Sequence, residues 1–401
     1  IKFYLCPTES KILLSVSLKR NLIALYLIKV SKWFTLVMPV IVLFYEENGL
    51  NLKDIFLLKS VYSIAVVAFE IPAGYLADAW GRRNTLILGC TLAFGGFLCY
   101  SFSYTLGAFF LAEVLLGTGQ SMVSGADSAL LYDTMLGNRR EDEYLKYEGK
   151  VTMIGNFSEA GAGLVSGFLA AYSLRLPFYC QTLIAFIGIP AALMLKDYST
   201  RVKVTNPVAN ILHIIRYSLI TNKNLCYDIM FSGIIGAATL TMAWFVQPIL
   251  MAIDTPTTLY GIIWTVLNMT VGIAALYSDK LNRLLGENRT YLLILIFISG
   301  GYLLVAYNIS YFGLFLLFLF YIVRGFATPI LKGYINKQTF SEMRATVLSI
   351  RNFIIRLLFA AMAPFIGWLS DAYSLSAALQ VTALIIFIPG LVFLLLQWKK
   401  H

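Results

Sequence analysis

Charged residues are scarce in this chain. Of its 401 residues only 13% are Asp, Glu, Lys or Arg, whereas 59% are hydrophobic and the mean hydropathy is +0.76. A soluble protein carries about a quarter charged residues, so water cannot solvate this chain on all sides. The scarcity of charge excludes a soluble globular protein and predicts a protein of the lipid bilayer.

Several signatures of catalysis are also missing. The two histidines, His213 and His401, lie outside the predicted spans, which argues against an intramembrane metalloprotease or serine protease. The pair Tyr132-Asp133 lacks the Gly-x-Gly-Asp partner of an intramembrane aspartyl protease. No Gly-x4-Gly-Lys-Ser/Thr loop is present, so ATP hydrolysis is not expected to supply energy. We predict that the protein is not an enzyme, and we expect neither a cofactor nor a metal.

Apolar runs of membrane-span size recur along the whole sequence. A helix needs about 20 apolar residues to cross the hydrocarbon. Such windows predict helices at 19–45, 55–77, 84–103, 106–134, 150–173, 177–195, 225–252, 257–278, 290–308, 311–336, 345–370 and 374–397. Strand-period alternation is absent. The predicted fold class is therefore an all-α polytopic membrane protein with about 12 transmembrane helices.

Positive charge lies on one side of these spans. Of the 31 Lys and Arg residues, 22 fall in the segments of one side, and only Lys53 and Arg175 fall in the loops of the other. The positive-inside rule then predicts that both termini are cytoplasmic. The net charge of +10 mostly reflects this asymmetry. Because no soluble domain is large enough to carry a basic surface, we expect no nucleic-acid partner. We also infer no removable signal peptide.

Two segments about half a chain apart resemble one another. Residues 167–194 and 367–394 both begin with Gly, continue through an Ala/Tyr/Ser turn and end in a tail that contains Gly and Pro. Self-similarity at this distance predicts duplication of a six-helix unit. The expected domains are an N-terminal bundle (1–195), a cytoplasmic linker with an amphipathic helix (196–224) and a C-terminal bundle (225–401).

A loop motif lies between the second and third predicted spans. It reads Gly74-Tyr-Leu-Ala-Asp78-Ala-Trp-Gly81-Arg82-Arg83, and a weaker copy after the eighth span keeps the same spacing from Asp279 to Arg283. With the span count and the duplication, this motif resembles that of the secondary transporters of the major facilitator superfamily. The resemblance implies two six-helix bundles around a central cavity, with these loop residues acting as a conformational gate.

Two departures from the family's proton-coupled drug exporters weaken that particular reading. Glu113 stands where the exporters often carry an Arg four residues before a Gly, here Gly117. The Gly-Pro signature of the fifth span is also missing. Both departures disfavour a drug/proton antiporter.

Polar residues inside the predicted spans are the candidate binding site, since an ionisable group there costs roughly 2.5–3.5 kcal/mol. They fall on the helices that line the cavity in the superfamily. The predicted substrate-binding residues are Lys32, Trp33, Gln120, Asn156, Trp264, Asn268, Tyr321, Arg324 and Arg356. Their cationic excess favours an anionic or carboxylate-bearing solute, because Arg binds carboxylates through two parallel hydrogen bonds.

Other charges in the spans have competing interpretations. The mid-membrane groups can instead pair with one another, for example Glu159 with Arg356 or with Lys32. Four groups nearer the cytoplasmic end are expected to snorkel or to form ion pairs at an inner gate: Lys29, Asp127, Lys332 and Arg351. Glu70 and Asp133 are expected to pair with basic residues of the inner loops.

Buried carboxyl groups are the candidate carriers of a coupling proton, since burial favours the protonated acid. We rank Glu159 first, then Asp127 and then Glu113, and facilitated diffusion without coupling stays open.

The sequence thus predicts a monomeric, proton-coupled secondary transporter of a small organic solute in the inner (plasma) membrane, working by alternating access. Its partners are the solute, the lipid bilayer and H⁺. The alternatives are a multidrug/proton antiporter and, from another class, a transport-inactive receptor or scaffold.

Overall fold

The computed structural model describes residues 7–198, 207–340 and 343–398. Within those ranges the described side chains exclude those of 7–16, Ile71, Asp78, Glu141, Leu145, 207–211, Ala345 and Trp398. In these ranges the protein is helical and contains no strand.

Sixteen α-helices follow one another in the described ranges. They are α1 (Pro7–Trp33), α2 (Ile41–Glu47), α3 (Leu52–Ala79), α4 (Arg82–Phe102), α5 (Leu106–Val123), α6 (Ala126–Gly137), α7 (Tyr144–Tyr172), α8 (Leu176–Met194), α9 (Pro207–Arg216), α10 (Lys223–Ala252), α11 (Thr257–Leu276), α12 (Ser278–Leu285), α13 (Glu287–Tyr307), α14 (Tyr311–Lys337), α15 (Arg344–Ala372) and α16 (Leu375–Trp398).

Nine of the described segments are long and apolar enough to cross a membrane. They are α4, α5 together with α6, α8, α10, α11, α13, α14, α15 and α16. The more polar helices α1, α3 and α7 contain 27, 28 and 29 residues, which also reaches the length of a span. The predicted all-α polytopic fold is confirmed, and the chain is a multi-pass membrane protein.

Two predicted spans are interrupted. The helix expected over 19–45 ends at Trp33 and resumes only at α2, and the helix expected over 106–134 breaks between α5 and α6. Gly125 stands at the second break with a φ of +87°, which L side chains rarely adopt. The prediction of continuous helices in these two places was wrong, because apolar composition does not reveal a local break.

Packing divides the chain into two compact units. Unit 1 comprises Ile1–Pro39 and Ala65–Lys203, and unit 2 comprises Val40–Ile64 and Val204–His401. The division differs from the predicted bundles in placing the segment from Val40 to Ile64 in unit 2. The bundle boundaries themselves stay a prediction.

Hydrogen bonds within unit 2 explain why this segment packs there. The Gln247 side chain of α10 accepts from the Val42 N–H at 2.8 Å. The Asp371 carboxylate of α15 accepts from the Lys53 N–H at 2.7 Å, in the first turn of α3. Carboxylates stabilise such a turn, because its N–H groups have no partner in the helix and the helix dipole is positive there.

Each unit has its own apolar core. In unit 1 the core includes the buried side chains of Leu86 and Leu130. In unit 2 it includes Leu225, Ile335 and Val347. The buried apolar surface holds the helices of each unit together and fixes the positions of the polar side chains described below.

The connection between the predicted bundles is helical where the structure describes it. Helix α9 is followed by a single π-helical turn, Tyr217–Thr221. Ile214 is buried in the core of unit 2, whereas Leu212 is exposed. Residues 199–206 of the predicted linker lie outside the described residues.

Candidate functional site

The break after α1 exposes backbone groups that other helices of unit 1 satisfy. Pro39 cannot donate a backbone hydrogen bond, so a helix cannot run through it unchanged. The Gln181 side chain of α8 accepts from the Leu36 N–H at 2.8 Å, and the Ser166 hydroxyl of α7 donates to the Leu36 carbonyl. Non-helical backbone inside a membrane protein needs such partners.

Lys29 and Trp33 at the end of α1 lie beside the start of α6. The Lys29 amine is 3.8 Å from the Asp127 carboxylate and 5.6 Å from the centre of the Trp33 ring. A Cβ atom added at Gly155 of α7 would lie 3.2 Å from the Lys29 side chain. Three helices of unit 1 therefore meet at two predicted site residues, Trp33 and Asp127.

Glu113 is buried between α4 and α5. Only 2% of this residue is exposed, and its carboxylate accepts a hydrogen bond from the Tyr100 hydroxyl at 2.7 Å. The Tyr100 ring stacks on Phe109, at 5.6 Å between ring centres. The carboxyl group proposed to carry a proton thus lies inside a packed aromatic cluster.

The other predicted residues of unit 1 differ in exposure. Lys32 of α1 and Gln120 of α5 are half-buried. On α7, Asn156 is exposed and Glu159 is half-buried. Each lies on the helix that the sequence predicted.

In unit 2, two predicted arginines contact aromatic rings. The Arg324 guanidinium lies 5.1 Å from the centre of the Tyr321 ring, one turn earlier on α14. The Arg356 guanidinium of α15 lies 5.8 Å from the centre of the Tyr62 ring. Neither arginine has a carboxylate within ion-pair distance among the described residues. Both lie beside neutral groups.

Arg351 is the most buried cation of α15. It is 5% exposed, its Nε–H donates to the Ser232 hydroxyl at 2.5 Å, and its Nη1 donates to the Asn352 side chain at 3.2 Å. No carboxylate of the described ranges pairs with it. The expectation that Arg351 snorkels or forms an ion pair was wrong, because its guanidinium is enclosed against α10. Lys332, also expected to snorkel, is exposed.

Trp264 and Asn268 are consecutive along one face of α11. Trp264 is 8% exposed, and Asn268 is half-buried. The Asn268 amide donates to the Trp264 carbonyl at 3.0 Å, so one of its donors is used within its own helix.

The loop between α3 and α4 is a tight turn. Gly81 has a φ of +101°, and a Cβ atom there would lie 2.7 Å from the Asp197 carboxylate. The backbone conformation therefore requires glycine, whereas the contact with the end of the Asp197 side chain could be relieved by a small movement of that side chain. Two residues further on, Arg83 donates to the Leu193 carbonyl at 2.9 Å. This hydrogen bond holds the turn against the end of α8.

Arg82 joins α4 to α6 within unit 1. Its guanidinium is 2.5 Å from the Asp133 carboxylate and donates to the Ala129 carbonyl. The side chains of the pair are 22% and 15% exposed. The expected partnership of Asp133 with a loop arginine is confirmed.

The second copy of the motif is paired differently. Asp279 and Arg283 form an exposed ion pair one turn apart on α12, and the hydrogen bond from Arg283 lowers the pKa of the Asp279 carboxyl group. In the first copy, a Cβ atom at Gly74 would meet no atom within 4 Å, so no close approach requires that glycine. The side chain of Asp78 lies outside the described residues. The gating roles of both copies stay predictions.

Asp228 is a buried acid that the sequence analysis did not select. It is 1% exposed near the start of α10, and hydrogen-bond donors from α13, α16 and the end of α14 surround it. The available signal was that Asp228 is the sole charged residue of the predicted span 225–252.

Lys59 of α3 is a second buried charge that was not selected. It is 5% exposed, and its amine lies 3.1 Å from the Tyr45 hydroxyl and 4.8 Å from the centre of the Trp244 ring. This arrangement stabilises the cation inside unit 2 through ring and hydroxyl contacts.

A protein-family model decides the family. The model described as "Major Facilitator Superfamily" matches residues 32–246, more than half of the chain. The chain belongs to the Major Facilitator Superfamily. The predicted resemblance is confirmed.

Curated superfamily relatives match a shorter part of the chain. The quinolone resistance protein NorA of Staphylococcus aureus (strain MRSA252) is 24% identical over 144 residues, which is 36% of each chain. The multidrug resistance protein 2 of Bacillus subtilis (strain 168) is 24% identical over 163 residues, 40% of each chain. The aligned part spans well under half the length of these relatives.

Solved structures of superfamily-like transporters match nearly the whole chain. The nucleoside transporter NupG superposes with a TM-score of 0.75 at 18% identity, covering 96% of this chain and 98% of that one. The peptide transporter POT in complex with sulfate gives a TM-score of 0.73 at 14% identity, covering 95% and 94%. At these identities the likeness shows the shared fold.

Proposed function

We propose that this superfamily member is a secondary active transporter that moves a small organic anion, carboxylate-bearing, across the plasma membrane by alternating access coupled to H⁺. Superfamily membership and the multi-pass fold support transport. The excess of basic residues on one side supports an orientation with both termini cytoplasmic.

The observation that carries the anionic substrate is the buried Arg351, which has no carboxylate partner among the described residues. A cation removed from water and left with neutral partners is costly, and a carboxylate with two oxygens would compensate it. Arg324 and Arg356 also lie beside aromatic rings, and neither forms an ion pair among the described residues of unit 2. In unit 1, by contrast, Lys29 and Arg82 already have carboxylate partners.

A thermal-shift experiment tests this proposal. The purified protein is melted with di- and tricarboxylates, carboxylate siderophores and phosphorylated metabolites, and separately with lipophilic cations. A ligand that binds the folded state raises the melting midpoint by mass action. We expect anions to raise it, and Arg351→Gln to weaken the best anion about tenfold or more, since hydrogen bonds to charged groups contribute about 1.5–3 kcal/mol.

Arg289→Gln is the matched control, because it removes an exposed guanidinium from the same unit. We expect it to leave the anion-induced shift unchanged. Stabilisation by cations alone, or an equal loss in both variants, would contradict the anionic site.

Drug export is the second candidate, favoured by the match to the two resistance proteins. It predicts stabilisation by the lipophilic cations. A receptor or scaffold would bind a ligand without moving it, so counterflow of the labelled ligand into liposomes separates binding from transport.

A further inference from the structure

Asp228 is surrounded by neutral hydrogen-bond donors. The Tyr291 hydroxyl of α13 donates to Oδ1 at 2.5 Å, and the Gln397 amide of α16 donates to the same oxygen at 2.9 Å. The Gln338 amide, at the end of α14, donates to Oδ2. No Lys or Arg forms an ion pair with Asp228 in the described part of the chain, although a buried carboxylate ordinarily needs one.

The charged groups nearby do not compensate for this. From α13, the charged side chain that acts most strongly on Asp228 is another acid, Glu287. From α14, Tyr334 lies with its ring centre 4.9 Å from that of Tyr291. From α15, the guanidinium of Arg351 is held by Ser232, one turn further along α10.

The amide that bonds to Asp228 also has an unsatisfied atom. Gln397 is 7% exposed, and its Oε1 is buried without a hydrogen-bond partner among the described residues. Such an acceptor is costly in a membrane protein. A proton on Asp228 would provide an O–H donor beside it, because a carboxylic acid and an amide can each donate to and accept from the other.

Unit 1 joins the ends of its helices through a neutral group. Asn21 of α1 is fully buried, and its amide donates to the Thr134 hydroxyl of α6 at 2.9 Å and to the Lys196 carbonyl after α8 at 2.8 Å. Its carbonyl accepts from the Lys196 N–H at 2.8 Å. Joining the helix ends of a unit therefore requires only a neutral polar group.

We infer that Asp228 is a proton-binding site: it is a neutral carboxylic acid in one state of the protein and a carboxylate in another. Binding adds one proton from water to a carboxylate oxygen, and release returns it to water. Proton binding by Asp228 does not depend on the proposed function. The inference rests on the proposed function only where it names this proton as the coupling ion, instead of a proton carried by Glu159, Asp127 or Glu113.

Infrared spectroscopy tests proton binding without any knowledge of the substrate. Difference spectra of the purified protein, acidic minus alkaline, contain the carbonyl-stretch band of each carboxyl group that takes up a proton. We expect Asp228→Asn to remove the intensity of one buried carboxyl group. Asp254→Asn is the control, because Asp254 is an exposed turn residue whose positive φ suits Asn equally. A band of unchanged intensity in Asp228→Asn would overturn the inference.

Transport in liposomes tests the coupling role. We expect Asp228→Asn to fold, because it places an amide among the helix ends as Asn21 does in unit 1. The variant should still exchange solute at equal concentrations, but it should accumulate at least tenfold less solute than the wild type under a pH gradient. Accumulation equal to that of the wild type overturns the coupling role. A wild-type protein that moves none of the anions refutes the proposed function, whereas the infrared result still decides proton binding.

Discussion

The two units join the ends of their helices through different chemistry. In unit 1 a neutral amide, Asn21, ties α1 to the ends of α6 and α8. In unit 2 a carboxylate, Asp228, ties α10 to α13, α14 and α16. In unit 1 a neutral amide is sufficient to join the helices. The carboxylate of unit 2 therefore adds something that the fold does not require, namely a group that can change its charge.

The loop motifs differ in a parallel way. In unit 1 the arginine Arg82 crosses from α4 to α6 and pairs with a largely buried Asp133. In unit 2 the arginine Arg283 pairs with Asp279 on its own exposed helix. Solvent screens exposed pairs of this kind, so they contribute little to stability, whereas removing one partner of a buried pair is strongly destabilising. Only the first copy therefore holds helices together.

The largest expected effect comes from placing a carboxylate in unit 1. Asn21→Asp removes the two N–H donors of the amide, so the carboxylate faces the Lys196 carbonyl and the Thr134 hydroxyl. We expect a loss of about 3 kcal/mol in the free energy of unfolding at neutral pH, from an uncompensated buried charge and unsatisfied acceptors. Denaturant unfolding in detergent micelles would measure this loss.

Asn51→Asp provides the matched control for that change. The Asn51 side chain is exposed and accepts from the Asp54 N–H at 2.9 Å, a capping role that Asp fills equally well. We expect its stability to stay within about 0.5 kcal/mol of the wild type. Equal losses in the two variants would mean that unit 1 does not distinguish an amide from a carboxylate.

The next largest effect separates the two loop arginines. Arg82→Ala leaves Asp133 partly buried without its cation, and we expect a loss of about 2 kcal/mol, below the value for a fully buried pair because both side chains are partly exposed. Arg283→Ala should cost much less, because both members of its ion pair are exposed to solvent. Melting of both variants at low and high salt would check the comparison. Similar losses would show that the two copies of the motif are structurally equivalent.

The helices were predictable from the sequence because apolar runs of span length determine where they lie. The predicted span 225–252 became Lys223–Ala252, and 257–278 became Thr257–Leu276. The break near Leu36 was not predictable, because its backbone is satisfied by Gln181 and Ser166, which lie more than a hundred residues away. A single window of sequence contains no sign of such partners.

The candidate site was predictable only in part. Charge placement inside spans selected Arg324, Arg356 and Glu113, whose roles stay predictions, and loop charge predicted the pairing of Asp133 with Arg82, which the structure shows. Charge placement did not identify Asp228. A charged residue near the end of a predicted span is interpreted as lying at the membrane interface unless the helices that enclose it are known. Burial by several helices is a tertiary property. The sequence pattern of a single helix therefore shows which residues are charged, but not which groups compensate their charges.

The smallest expected effect comes from neutralising one acid in each unit, both of them outside the membrane spans. In unit 2, burial, together with the negative charge of Asp371, raises the pKa of Glu46. In unit 1, the hydrogen bond from Arg140 lowers the pKa of the half-buried Glu143. A raised pKa means that stability is lost as pH rises from the unfolded-state pKa through the folded-state pKa. A lowered pKa means that stability is lost as pH falls through the folded-state pKa.

The two glutamates should therefore give opposite pH slopes when each is neutralised. Glu46→Gln is expected to gain stability relative to the wild type at neutral pH and to lose that gain at acidic pH, where Glu46 is protonated in both states. Glu143→Gln should be slightly less stable at neutral pH, with the difference vanishing on acidification because Glu143 then loses its charge as well. Melting midpoints from pH 3 to pH 8 (about 5 units, which spans both glutamate titrations) would measure both slopes. Slopes of the same sign would show that Glu46 is compensated by a cation, and that unit 2 does not keep this acid in an unfavourable environment.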